Sequence, residues 1–197
     1  MGVRASPFKG SRIRFATTNK GKLREISILL GEYNLEVEAV EAEKVEIQSD
    51  DISRIAEYAA LDLAGRLGYP VAVEDSGLHI PALNGFPGPY SSYIYRSIGL
   101  RGVLKLLEGV EDRRGFFESV VAYAEPKGMV KCFRGVVWGR ISLDARGTGG
   151  FGFDPIFIPE EGDGRTFAEM TLEEKNRISH RGRALRSFGE WITSSPV

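Results

Sequence analysis

The stretch "FFESVVAYAEPKGMVKCFRGVVWGRISL", Phe116 to Leu143, decides the fold class. Apolar and polar residues alternate through "FFESVVAYAE" and again through "MVKCFRGVVWGRISL", the two-residue period of strands. "PKG", Pro126 to Gly128, separates the runs. A short Pro/Gly spacer between two alternating segments specifies an antiparallel hairpin. Cys132 is the single cysteine. It falls inside the alternation and is expected as a buried strand thiol, with no second cysteine for a disulfide and no neighbouring ligands for zinc.

Upstream of the hairpin, strands and helices alternate. "IRFAT", Ile13 to Thr17, is a short strand ending at "TNKGK". A helix follows, in which Leu23, Ile26 and Leu30 recur near the 3.6-residue period and Gly31 closes the pattern. "LEVEAV", Leu35 to Val40, alternates like a half-exposed strand. Ser49 or Asp50 caps a second helix with Ile52, Ile55, Ala59, Leu63 and Leu67 on one face, ended by Gly68 and Pro70. "VAV", Val71 to Val73, is an apolar strand that delivers the two acids of "EDSG" to its C-terminal end. "GLHIPALNGFPGPYSSYIY" is rich in Gly, Pro and aromatics and reads as a turn-laden loop before a helix starting near Ser91. After the hairpin, "RGTGGFGFDP" is a Gly-rich loop leading through "IFI" to helices near Leu172 to Arg177 and from about Ser179 to Trp191.

This mixture gives an α/β (mixed α+β) fold with a long mixed sheet, split into two lobes by the hairpin. Met1 to Ser11 reads as a flexible basic lead-in, although "MGVRAS" fits an N-myristoylation pattern at Gly2. Residues 12–197 form one two-lobed domain. At 197 residues the chain is long enough to bury a sizeable core. The 26 basic and 27 acidic side chains nearly balance, which argues against a general nucleic-acid coat while leaving room for a local basic pocket. No apolar run approaches the ~18 residues of a membrane helix. The N-terminus lacks the apolar centre of a secretory signal, so a cytoplasmic protein is expected.

Four segments carry side chains suited to chemistry. "TTNKGK", Thr17 to Lys22, ends a strand before a helix and combines free N–H groups, a positive dipole end and lysine charge, which suits a phosphate. Simple helix capping by Thr18 or Asn19 is the alternative. In "EDSG", Glu74 and Asp75 are adjacent carboxylates after a buried strand. Their repulsion calls for a cation, magnesium being natural, with Glu46 of "VEIQSD" as a third acid; an exposed Asp-Ser-Gly turn is the alternative. In "GGFGFDP", Phe151 and Phe153 offer flat faces for a base, glycines such as Gly152 permit close approach, and Asp154 could read a base edge or fix the loop. Plain packing of the phenylalanines competes with that reading. In "KNRISHRGRAL", Lys175 could meet a phosphate and His180 with Arg181 could donate to a carbonyl on a purine. The same stretch also fits a solvated helix capped by Ser179. Together the four segments describe a nucleoside triphosphate site.

"TTNKGK", "VEDSGL", "NGFPGPYSS", "GFGFDPIF" and "TFAEMTLEEKNRISHRGRAL" resemble, in order and spacing, the motifs of the Ham1-like inosine triphosphate pyrophosphatase family, from about Ile13 to Phe188. The resemblance implies an elongated mixed sheet with two lobes around a central cleft. It implies a homodimer that uses Mg2+ to convert ITP, dITP and XTP to the monophosphate and pyrophosphate. By the same resemblance Thr17, Thr18, Asn19 and Lys22 grip the triphosphate, with Ser76 beside the catalytic acid. Glu46 and Asp75 associate with the metal, Asp75 also accepts the proton, and Glu74 assists. Phe151, Gly152, Phe153 and Asp154 hold the base, and Lys175, His180 and Arg181 close over substrate. Many relatives carry a lysine in the helix near Ala59; its absence here implies a lost phosphate contact or a substitute such as Arg54. Two rival readings are a Maf-like pyrophosphatase of modified pyrimidine nucleotides and a non-catalytic RNA-binding module built on "KCFRGVVWGR", against which strict alternation and neutral charge both count.

Overall fold

The computed structural model describes residues 12–194, so the expectations for Met1 to Ser11 lie outside the described residues. Strand β1 (Arg12–Ala16), helix α1 (Lys20–Gly31) and strand β2 (Glu36–Val40) form a parallel crossover unit. Helix α2 (Ile52–Leu67) then leads to β3 (Val71–His79), which lies parallel to β1. The Asp51 carboxylate caps α2 at the Ser53 N–H, one or two residues beyond the expected caps. Gly68, with φ of 73°, ends the helix in the left-handed conformation that glycine adopts freely.

The expected hairpin is present as β5 (Arg114–Ala124) and β6 (Val130–Ile141), in register from Arg114 opposite Arg140 to Ala124 opposite Val130. With β4 (Pro87–Gly88) beside β3 and β7 (Phe157–Pro159) beside β6, the sheet runs β2-β1-β3-β5-β6-β7. Helices α3 (Ser91–Ser97), α4 (Gly99–Leu106), α5 (Leu172–Ile178) and α6 (His180–Ser194) complete the fold. Among the described residues no helix is long and apolar enough to cross a membrane.

Two expectations fail here for physical reasons. "EDSG" is not a turn after a strand: β3 continues through it to His79 because β5 pairs with all nine of its residues, from Val71 opposite Ala124 to His79 opposite Phe116. Cys132 is exposed rather than buried. It shares a face of the sheet with its partner Ala122, but α2 covers β5 there and leaves the β6 side chain at the surface. Its thiol is nevertheless pushed up to about 11, by partial desolvation and then by Glu57 and Asp51, so it is a poor nucleophile.

Core side chains lie on both faces of the sheet. Ile13, Phe15 and Tyr123 pack with Ile26, Leu29 and Leu30 of α1 and Leu185 and Phe188 of α6. On the other face Val71, Val73, Val120 and Ala122 meet Ile52, Ala56, Ala59, Ala60 and Leu63 of α2. Four fully buried alanines, Ala56, Ala59, Ala60 and Ala64, let that helix lie close to the strands. A third cluster joins Leu78, Ile80, Phe117 and Val137 to Val103, Phe157 and Phe167. α6 reaches β6 at Gly135, where a β-carbon would collide with the His180 carbonyl. That contact fixes the start of α6, and hence His180 and Arg181, against the sheet.

Candidate active site

A strand has two edges, and β5 occupies one edge of β3 along its whole length. On the other, β1 pairs only at Phe15 opposite Ala72, and β4 pairs only at Leu78 and His79. Between them the stretch Val73 to Gly77 has no strand beside it. A cavity of about 550 Å3 opens at this gap, lined by Thr17, Thr18, Asn19, Lys22, Lys44, Glu46, Asp75, Phe151, His180 and Arg181 among others. That volume is suited to a nucleotide-sized ligand.

Because β3 is extended through "EDSG", successive side chains leave on opposite faces. Glu74 points toward α6. Its carboxylate lies 2.9 Å from Lys22 Nζ and 3.2 Å from Arg181 Nε, and accepts a hydrogen bond of 2.6 Å from Ser119 Oγ. Burial opposes its ionisation, yet Arg181, Lys22 and the Ser119 hydroxyl hold its carboxyl well below the usual range. Asp75 points the other way and meets Lys44 Nζ at 3.0 Å. The adjacent acids therefore do not form the repelling pair that the sequence suggested. Each has its own cation, and Glu74 is committed to holding Lys22 and Arg181.

Lys22 and Glu25 share the inner face of α1, three residues apart. Glu25 is 2% exposed and accepts from Lys175 Nζ at 2.8 Å and from Arg181 at 2.5 Å. Burial raises its proton affinity, but Arg181 and Lys175 outweigh that and leave the carboxylate charged. Lys175 also donates to Asp154 Oδ2 at 2.6 Å, so two of its three donors are engaged within the chain. Arg181 donates to Ser76 Oγ at 2.9 Å as well. Lys22, Glu74, Arg181, Glu25, Lys175 and Asp154 thus form one continuous chain of charges.

Phe151 lies on that chain, with Lys175 Nζ 4.9 Å and Arg181 Cζ 5.3 Å from its ring centroid, in cation–π range. Its ring faces the cavity and Gly152 lines the wall beside it. Phe153 instead is 3% exposed and packs edge-on against Tyr95, which makes it mainly a core side chain. Asp154 fixes the loop: its carboxylate accepts from Phe151 N–H at 2.8 Å besides Lys175. Desolvation raises its proton affinity despite the lysine. His180 is 3% exposed and stacks on Phe117 at 4.6 Å between ring centroids. Burial, then Arg181 and Lys175, keep its imidazole neutral well below the ordinary range.

At the start of α1 the Asn19 side chain caps the helix by accepting from Lys22 N–H at 3.0 Å, and Thr17 Oγ1 accepts from Asn19 N–H at 3.2 Å. Capping and cavity lining coexist in these residues. Ser179 caps α6 through the Gly182 N–H. Arg54 does not line the cavity, and Ala59, near which many relatives carry a lysine, is buried against the sheet. Lys44 and Arg96 are additional cations of the cavity lining that sequence reasoning missed, together with Glu25. Glu25 had a signal as a charge at an inward position between Lys22 and Leu29, whereas Lys44 stands in a segment without regular structure, where no periodicity points it out. Of the aromatics of "KCFRGVVWGR", Phe133 is buried and Trp138 is exposed, and Arg134 is paired with Glu118.

Asp75 and Glu46 suit magnesium by their chemistry. Asp75 Oδ2 is buried and accepts no hydrogen bond from the chain, and Glu46 Oε1 lies 3.4 Å from the same Lys44 ammonium. Among the described residues no group of three or more His, Cys, Asp or Glu is placed to hold a metal by itself. Two carboxylates completed by substrate oxygens and water is the usual magnesium arrangement.

Comparison with known proteins gives a consistent result. The family model described as the Ham1 family matches residues 13–191. The dITP/XTP pyrophosphatase of Methanopyrus kandleri is 54% identical over 184 residues, covering 93% of this chain and 97% of that protein. The dITP/XTP pyrophosphatase of Pyrococcus horikoshii is 51% identical over 181 residues, covering 92% and 96%. Among solved structures, a HAM1 protein from Coxiella burnetii superposes with a TM-score of 0.83 at 33% identity, covering 93% of this chain and 99% of that one.

Proposed function

The chain belongs to the Ham1 family, and from that premise we infer that it is a nucleoside triphosphate pyrophosphohydrolase of non-standard purine nucleotides. It converts ITP, dITP and XTP to the monophosphate and pyrophosphate, a reading supported by relatives named dITP/XTP pyrophosphatase. One observation carries the reading to the chemistry: the gap beside β3 sets Asp75 and Glu46 on one side and Lys22, Arg181 and the Phe151 ring on the other, around a single cavity.

Magnesium held by Asp75 and Glu46 supplies, when bound, charge neutralisation on the phosphates. The chain's own residues do the rest. Asp75, with Oδ2 free of internal hydrogen bonds, takes the proton of the water that attacks the α-phosphorus. Lys22 and the N–H groups at the start of α1 face the charge that builds on departing pyrophosphate. Phe151 stacks on the base. His180, neutral at pH 7, has one ring N–H to offer the 6-keto oxygen. Adenine presents a donor at that position, so a buried donor left unpaired would discriminate against it strongly.

Residues 12–197 acting as one two-lobed unit, cytoplasmic location and homodimerisation belong to the same proposal. Exposed Tyr93 and Trp138 support the dimer, which sedimentation velocity tests. Hydrolysis of ITP in 18O-water tests the reaction. Attack at the α-phosphorus puts the label in IMP, and label in pyrophosphate or inorganic phosphate would refute it.

A further inference from the structure

The Lys44 ammonium lies 3.0 Å from Asp75 Oδ1 and 3.4 Å from Glu46 Oε1. It therefore bridges the two carboxylates that fit a divalent ion. The lysine side chain is 19% exposed, on a segment between β2 and α2 with no regular structure. Glu74, whose side chain leaves β3 on the opposite face, also favours its charge. A single positive charge with rotatable donors on a flexible four-carbon stem can neutralise two carboxylates and can also be moved aside.

We propose that Lys44 is the resident cation of the Asp75–Glu46 pair in the nucleotide-free chain, and that it must leave this pair before a divalent ion can be held there. The proposal rests on the assignment of Asp75 and Glu46 to the metal. Its consequence is a chain that binds divalent ions weakly by itself and well only when triphosphate oxygens complete the site and offer Lys44 a new anionic partner.

The test is Mn2+ binding followed by electron paramagnetic resonance of the free ion, on the wild type, K44M, K44R and K44M/D75N. Each is measured without nucleotide and with a non-hydrolysable ITP analogue, and circular dichroism verifies the fold. K44M should bind Mn2+ at least about tenfold more tightly than the wild type without nucleotide, because a like charge has been removed from the ion's position. K44R should stay near the wild type, and K44M/D75N should lose the gain. Equal nucleotide-free affinity of K44M and wild type, with tight binding in both once the analogue is present, would overturn the role of Lys44 and leave the metal assignment standing. Tight binding that survives in K44M/D75N, or none in any variant even with analogue, would overturn the metal assignment and the Lys44 proposal with it.

Discussion

Glu74 and Asp75 are consecutive in the chain and stand on opposite faces of β3, Glu74 against Lys22 and Arg181, Asp75 against Lys44. This separation divides labour between two carboxylates that a sequence motif would treat as one unit. Glu74 is buried and charge-compensated within the fold, whereas Asp75 Oδ2 accepts no hydrogen bond from the chain.

Asp75→Asn and Glu74→Gln should therefore fail differently. Asp75→Asn is expected to lower kcat by several powers of ten with little change in the urea midpoint. Glu74→Gln removes a buried carboxylate shared by Lys22 and Arg181 and should destabilise the fold by about 3 kcal/mol. Parallel kcat and unfolding measurements decide it, and near-normal turnover in Asp75→Asn would remove that residue from the chemistry.

Glu25 touches both Lys175 and Arg181 from α1. Glu25→Gln should cost about 3 kcal/mol or more of stability and raise the KM for ITP as the two cations lose their anchor. A variant with wild-type unfolding and kinetics would show that Asp154, Glu74 and Ser76 position those cations unaided.

Stability should fall on mild acidification, with a sign set by His180. Burial, Arg181 and Lys175 hold its folded pKa well below 6.5. Below about pH 6.5 the unfolded chain thus binds a proton that the folded chain refuses, and unfolding free energy drops by up to ~1.4 kcal/mol per pH unit. Above that pH both states are neutral and the effect disappears. His79, also lowered, adds in the same direction. Glu25 and Glu74, lowered from 4.5, contribute stability that is present above pH 4.5 and lost as pH falls through their folded values. The urea midpoint between pH 6.5 and 5 should slope less in His180→Gln than in the wild type; equal slopes would place the acid sensitivity elsewhere.

Phe151→Leu keeps apolar bulk over Lys175 and removes the aromatic face. Stacking on a base contributes about 1–3 kcal/mol, so KM for ITP should rise roughly tenfold or more with kcat changed far less. An unchanged KM would mean that the ring serves only the cations beneath it.

Much of this architecture was legible in the chain. Alternation gave β5 and β6 over nearly their full lengths, and Ser179 correctly marked the start of α6. The misreadings share a cause, since each depends on partners distant in sequence. "EDSG" has the composition of a turn, and only register with Val120, Ser119 and Glu118 of β5 keeps it extended. Cys132 alternates as a buried residue would, but burial depended on which strand α2 covers. Lys175 and Arg181 read from the sequence either as ligands for substrate or as charges on a solvated helix. Their pairing with Glu25 joins residues about 150 positions apart, which no local pattern reveals.

The most direct measurement is pyrophosphate release from ITP, XTP, GTP and ATP by the purified protein, with magnesium and with chelator. The account predicts magnesium-dependent pyrophosphate from ITP and XTP, with little from GTP or ATP. Release of single phosphate, equal turnover of ATP, or no turnover of ITP and XTP would contradict it.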